Sequence, residues 1–229
     1  MIRLRLRTWI VIAGLWLAGP ALAGTIRGVV HVPGASAAQP HSMSSYPGHA
    51  GSMPGMHAVV RGNVTDAVVY VEQIPAGVDS ALVAAAAASP KPRPRLAQQD
   101  QAFVPRVVVV AIGSSVDFPN LDPIYHNVFS YSATRRFDLG KYPRGHSKAV
   151  EFDRAGLVNV FCDIHSEMEA FVLVLPNHAF TQPAADGAFE LPALPPGRYR
   201  IRVWHPDLPA VAQTVDIPAQ GDVSVELSL

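Results

Sequence analysis

Of 229 residues only one is a cysteine, Cys162, so the chain cannot close an internal disulfide. An excess of charge is missing too, with eighteen basic residues set against eighteen acidic ones. Three of the basic residues, Arg3, Arg5 and Arg7, lie at the very start, which leaves fifteen basic and eighteen acidic residues from Gly24 onward. There is no basic field to attract nucleic acid, and none is expected as a partner. Long hydrophobic runs are also lacking. The apolar stretch 9–18 is too short to span a membrane, and no later stretch is long and apolar enough. With three arginines before it and Ala21, Leu22 and Ala23 after it, this stretch reads as a signal peptide over residues 1–23. The chain from Gly24 is therefore expected to be exported to the periplasm, with no membrane span. The roughly 200 residues that remain suffice for one large or two small domains, each with a hydrophobic core.

What is present turns on the lone cysteine. A leftover thiol in an oxidising compartment is exposed to oxidation unless it is buried or bound to a metal. Cys162 is followed by His165 and Met168 in the spacing C-x2-H-x2-M, so a thiolate, an imidazole and a thioether share one short segment. These are soft donors suited to copper. A second imidazole has to come from elsewhere, and His126 is the best candidate, because residues 119–128 form a turn-rich loop that runs into an apolar strand. His126, Cys162, His165 and Met168 together would make the His2Cys site with a weak axial Met that describes blue copper, one type 1 ion per chain.

Other readings of the same residues stand beside this one. Cys162 alone reads as a small core hydrophobe. The C-x2-H pair could begin a zinc site, but a second thiolate is missing. Cys162 as a nucleophile, with His126 or His165 as base, leaves Met168 without a role. His146, His178 and His205 are isolated and read as surface or loop residues; Glu167 and Glu169 read as solvated carboxylates.

Strand patterning fills most of the chain. Residues 24–32 alternate with β-branched residues and read as a strand; 67–72, the continuous apolar run 107–111, 116–118, 128–131, 149–153 and 157–161 read as strands too. In residues 157–161 the alternation sets Val158, Val160 and Cys162 on one face, so the thiol falls at a strand end. Between the first two strands, residues 33–63 are rich in Gly, Ser and Pro and have no apolar period. This stretch holds His41, Met43, His49, Met53, Met56 and His57, a possible auxiliary copper site of thioethers and imidazoles whose spacing fixes no geometry. Residues 81–88 are mostly alanine and can make two helical turns; Pro90, Pro92 and Pro94 then enforce extended structure. Residues 81–97 read as a surface connector with solvated basic side chains. The last segment alternates again at Phe189 and Leu191, at Tyr199, Ile201 and Val203, and at Val223, Val225 and Leu227, with a turn signal at Asp186 and Gly187.

Two family resemblances follow from these residues. Residues 102–175 resemble a cupredoxin of the plastocyanin and amicyanin type in Ala102, Phe103, Val104 and Pro105, in His126, Asn127 and Val128, and in Phe161 and Cys162 entering C-x2-H-x2-M. The short ligand loop is closest to the amicyanin pattern. Two departures are Asp163, where the family usually has a small hydroxyl residue, and Glu169 with Ala170, where a glycine is common. The succession D-G-x-F-x-L then L-P-P-G-x-Y-x-I-x-V-W at residues 186–204 resembles a carboxypeptidase-regulatory or transthyretin-like sandwich. That family normally begins with strands like those at 24–32 and 67–72, which here lie on the far side of the cupredoxin stretch.

The resemblances imply an all-β chain: a cupredoxin-like Greek-key β-sandwich at residues 98–176, inserted between two halves, 24–80 and 177–229, of a smaller transthyretin-like β-sandwich. In the competing arrangement the N-terminal strands join the cupredoxin sheet. The cupredoxin resemblance implies an electron carrier rather than an enzyme. Asn127 would hydrogen-bond between the ligand loops, the edge of His165 would be the electron port, and the partner would be a c-type cytochrome or a periplasmic dehydrogenase. The alternatives are copper trafficking through the loop at residues 41–57, and a scaffold that has kept the residues without a redox role.

Overall fold

The computed structural model describes residues 24–33, 62–88 and 92–229. The signal peptide expected at 1–23 and the stretch containing His41, Met43, His49, Met53, Met56 and His57 lie outside the described residues.

Apolar residues recur at every second position, and this makes the fold all-β. In Gly156–Phe161, for example, Val158 and Val160 are buried while Leu157 faces outward. The elements are β1 (Ile26–His31), β2 (Val68–Val71), α1 (Ala76–Ala88), β3 (Ala97–Gln99), β4 (Ala102–Val104), β5 (Val107–Ala111), β6 (Ser114–Pro119), β7 (His126–Tyr131) and β8 (Arg136–Tyr142). They continue with β9 (Ser147–Phe152), β10 (Gly156–Phe161), β11 (Glu169–Leu175), β12 (Phe180–Thr181), β13 (Ala188–Glu190), β14 (Gly197–Trp204), β15 (Val211–Ile217) and β16 (Val223–Ser228).

The central part of the chain forms one sandwich. Its larger sheet runs β5-β11-β10-β7-β8. Facing it are β6 paired with β9, and β3 paired with β4, with β3 bridged to the end of β6 through Gln98 and Asn120. Between the layers lies a core that includes Phe118, Phe152, Val128, Val158, Val160, Cys162 and Met168. The stretch read as a surface connector is exposed at residues 92–95, and its end is packed, with Leu96 fully buried in the same core. Just before it, Arg93 reaches Asp117 at 3.0 Å.

Strands from the two ends of the chain pair with each other. β1 runs parallel to β16 and antiparallel to β13, and β2 lies between β12 and β14, with β15 at the far side of β14. Ile26, Val69, Leu191, Leu194, Ile201 and Val203 are among the residues that fill this second core. The two bodies of structure meet where Val107, Phe171, Leu173 and Leu175 pack on Val68, Tyr70, Phe180 and Trp204.

This junction contains a partly buried ion cluster. The Arg106 guanidinium donates to both carboxylate oxygens of Asp207 at 2.7 and 2.9 Å, reaches Asp66 at 3.5 Å and lies 5.1 Å from the Phe171 ring centroid. His205 was expected to be a surface or loop residue; it lies in a loop directly after β14, but it is buried. The ring is buried because β14 ends by turning back onto residues 63–66; Nε2 donates to the Asn63 carbonyl and Nδ1 accepts from the Asp207 N–H. His178, partly buried, is tied to Asp79 of α1 at 3.0 Å. The helix begins at Ala76, directly after Pro75, five residues earlier than the alanine run alone suggested.

Candidate metal centre

Three donor atoms converge at one end of the central sandwich. Cys162 follows the last residue of β10, and the alternation that buries Val158 and Val160 also points its thiol inward. The segment after it is a tight turn: the Met168 N–H donates to the His165 carbonyl at 3.0 Å and the Cys162 N–H to the Met168 carbonyl at 3.3 Å. The turn returns His165 towards the thiol and seats Met168 in the core, 1% exposed. His126 opens β7 and is wholly buried.

Cys162 Sγ lies 3.9 Å from His126 Nδ1 and 3.9 Å from His165 Nδ1, and the two nitrogens are 3.1 Å apart. Among the described residues, these three form the one group of His, Cys, Asp or Glu side chains close enough to hold a metal ion. From those three separations, a single point in their plane is about 2.1 Å from every donor atom. Imidazole nitrogen and thiolate sulfur bind first-row ions at about 2.0–2.3 Å, so the residues fit an ion of that class. The donor set, two imidazoles and one thiolate with a buried methionine alongside, matches copper better than zinc, which asks for a fourth strong ligand in a closed site.

The far side of His126 is held by a residue that sequence reasoning missed. Asp122 Oδ2 lies 2.7 Å from His126 Nε2, and both side chains are buried. Asp122 also accepts the backbone N–H groups of Asp100 at 2.6 Å and Gln101 at 2.9 Å. Burial pushes the Asp122 carboxyl up, but the bonds from Gln101, His126 and Asp100 outweigh it and hold the group below its ordinary value. His165, partly exposed, is held below the ordinary imidazole value by burial and by the neighbouring His126. The one signal for Asp122 in the sequence is its position four residues before His126 in a turn.

Asn127 behaves differently from expectation. Its Nδ2 donates to Asp138 Oδ1 on β8 at 3.1 Å, not to the loop after Cys162, and among the described residues its buried Oδ1 has no partner. A register shift between Asn127 and Phe129 in the β7–β8 pairing turns the side chain towards β8. Asp163, next to the thiol, lies 3.9 Å from Lys141, which offsets part of its charge. Buried Tyr142, paired with His126 across the strands, donates to the Phe118 carbonyl and accepts from Gln98 Nε2; burial lifts its phenol to about 12.

No family model matches the chain, and no curated protein matches it. Among solved structures it is similar to an amicyanin from Paracoccus versutus, with 22% identity over 39% of this chain and 87% of that one and a TM-score of 0.33. A purple cupredoxin from Nitrosopumilus maritimus gives 20% identity over 32% of this chain and 82% of that one, with a TM-score of 0.30. The Cu-containing nitrite reductase from Thermus scotoductus SA-01 gives 20% identity over 36% of this chain and a TM-score of 0.35; the match spans only 22% of the reductase. Over about a third of its length, then, the chain is similar to cupredoxins, and its described residues are mainly β-strand, with the one helix α1.

Proposed function

We propose that this protein is a type 1 copper protein that carries single electrons between partners in the periplasm. The observation that carries the reading is the triangle of His126 Nδ1, His165 Nδ1 and Cys162 Sγ, with buried Met168 beside it. When bound, copper supplies one-electron Cu(I)/Cu(II) chemistry at such a site. The chain's own residues do the rest. Cys162 and His126 are fixed at strand ends within the core, and the tight turn of residues 162–168 sets His165 and Met168. A framework that sets ligand positions lowers the rearrangement needed between the two oxidation states.

The surface around His165 supports a docking role. Leu121, Ile124 and Tyr125 on the loop before His126, and Ile164 beside His165, are exposed apolar side chains on the two segments that bear the ligands. A c-type cytochrome or a dehydrogenase would meet the partly exposed His165 there, and no substrate is transformed. The pairing of β1 and β2 with β12 to β16 supports the division into an inserted cupredoxin unit and a transthyretin-like sandwich made of both chain ends. Among the described residues no helix is long and apolar enough to cross a membrane.

The test is an absorption and paramagnetic resonance spectrum of the copper-loaded protein. The wild type should show an intense thiolate-to-copper band and reversible cycling. Cys162→Ser should abolish the band, whereas Met168→Leu should keep copper and raise the potential. Tight Cu(I) binding without a thiolate band, lost when residues 41–57 are deleted, would instead indicate trafficking.

A further inference from the structure

We propose that Asp122, gripped by the turn at Asp100 and Gln101, is the positioning residue that commits His126 to presenting Nδ1 to the metal, an assignment that rests on the copper reading above.

All three groups that meet the Asp122 carboxylate are donors or must act as donors. Oδ1 takes the Asp100 N–H at 2.6 Å; Oδ2 takes the Gln101 N–H at 2.9 Å and lies 2.7 Å from His126 Nε2. An ionised carboxylate only accepts, so the proton between Asp122 and His126 sits on Nε2. The tautomer is thereby fixed, and Nδ1, which faces Cys162 and His165, is left with its lone pair.

The turn that holds Asp122 is unusual. Asp100 and Gln101 are the two central residues of the hairpin joining β3 to β4, and both are left-handed, with φ of 53° and 57°. A two-residue hairpin asks for this conformation, and glycine adopts it most easily, yet neither position is glycine. The turn sends two successive N–H groups to the same carboxylate. The hairpin is tied to the ligand loop as well: the Leu121 N–H donates to the Gln98 carbonyl, and the Asp122 N–H to Asn120 Oδ1. Asn120 in turn donates to the carbonyls of Ile124 and Tyr142. The left-handed pair thus holds two backbone donors on the carboxylate that meets His126.

The full-length chain and its Asp122→Asn variant test this. An asparagine offers one oxygen to three donors and turns an NH2 group towards at least one of them. Copper is the probe, with Cu(I) and Cu(II) affinities measured by chelator competition and the potential by titration. The variant should lose about 10–100-fold in affinity while keeping the thiolate band. Cu(II) binding should weaken more than Cu(I) binding, so the potential rises, by about 59 mV for each tenfold difference. Equal losses for both oxidation states with an unchanged potential would reduce Asp122 to a structural prop and overturn the proposal. Independently of copper, nitrogen NMR of the labelled, metal-free wild type should find the His126 proton on Nε2; a proton on Nδ1 overturns the proposal even if Asp122→Asn fails to fold. A wild type with that tautomer but no thiolate band would sink the copper reading and leave the orientation of His126 standing.

Discussion

Arg106→Met offers the sharpest test of how the two bodies of structure hold together. The guanidinium is nearly buried, makes two bonds to Asp207 at 2.7 and 2.9 Å, approaches Asp66 at 3.5 Å and covers the Phe171 ring. Methionine keeps most of the apolar contact but leaves two carboxylates facing each other with no cation between them. Removing one partner of a fully buried ion cluster costs about 3–5 kcal/mol, but water reaches Asp207, so we expect a smaller loss of about 1–3 kcal/mol at pH 7.

Its pH dependence follows from two opposing groups. Bonds from Arg106 hold the Asp207 carboxyl below its ordinary value, so its contribution is full above an unfolded pKa of about 3.9 and disappears as pH falls through the folded value. Burial raises Asp66, so its contribution runs the other way and weakens as pH climbs from about 3.9 through its folded value. The gap between wild type and variant should therefore be widest at neutral pH and narrow towards pH 3. Trp204 is the assay. It is the one tryptophan after residue 23 and lies 6.1 Å from Phe171 across the junction, so its fluorescence during urea unfolding reports this contact. Adding Asp207→Asn to Arg106→Met should recover part of the loss by removing an uncompensated charge. A variant within about 1 kcal/mol of wild type at pH 7, with no narrowing in acid, would refute the reasoning.

Two further outcomes can be read from the backbone and from a buried phenol. Gln101→Gly should relieve the left-handed backbone while keeping the N–H, raising stability by about 0.5–1 kcal/mol in urea unfolding and leaving the copper potential unchanged. Tyr142 should ionise late in an ultraviolet titration; because its folded value lies near 12, its contribution to stability is intact below about 10 and is lost as pH rises between the two. A phenol titrating near 10 in the folded protein would contradict its burial.

The parts of the fold that were legible in the sequence are those whose pattern is local. Val107 to Val110 announce a buried strand as a continuous β-branched run, Val158 and Val160 announce one by recurring with the pleat, and Cys162, His165 and Met168 announce a donor set because they share one turn. β3 carries no such mark. Ala97, Gln98 and Gln99 become a strand because β4 and the end of β6 offer partners, and that is a property of the assembled sandwich. β8 alternates through Phe137 and Leu139, but its Asp, Gly and Lys obscure the period. Asp122 stayed hidden for a different reason. Loops have no period, and its role depends on a hairpin twenty residues upstream closing onto it. Asn127 shows the reverse case, where a one-residue slip in strand register turned the expected bond elsewhere.

The pairing of the chain's two ends has a consequence for the order of events during synthesis. β1 and β2 emerge early, but their partners β14 and β16 are made only after the whole central sandwich. Until then the first two strands expose unmatched backbone edges, while β5 to β11 already have everything they need to close around Cys162. The sequence order of the partners thus lets the donor cluster close before the outer body does.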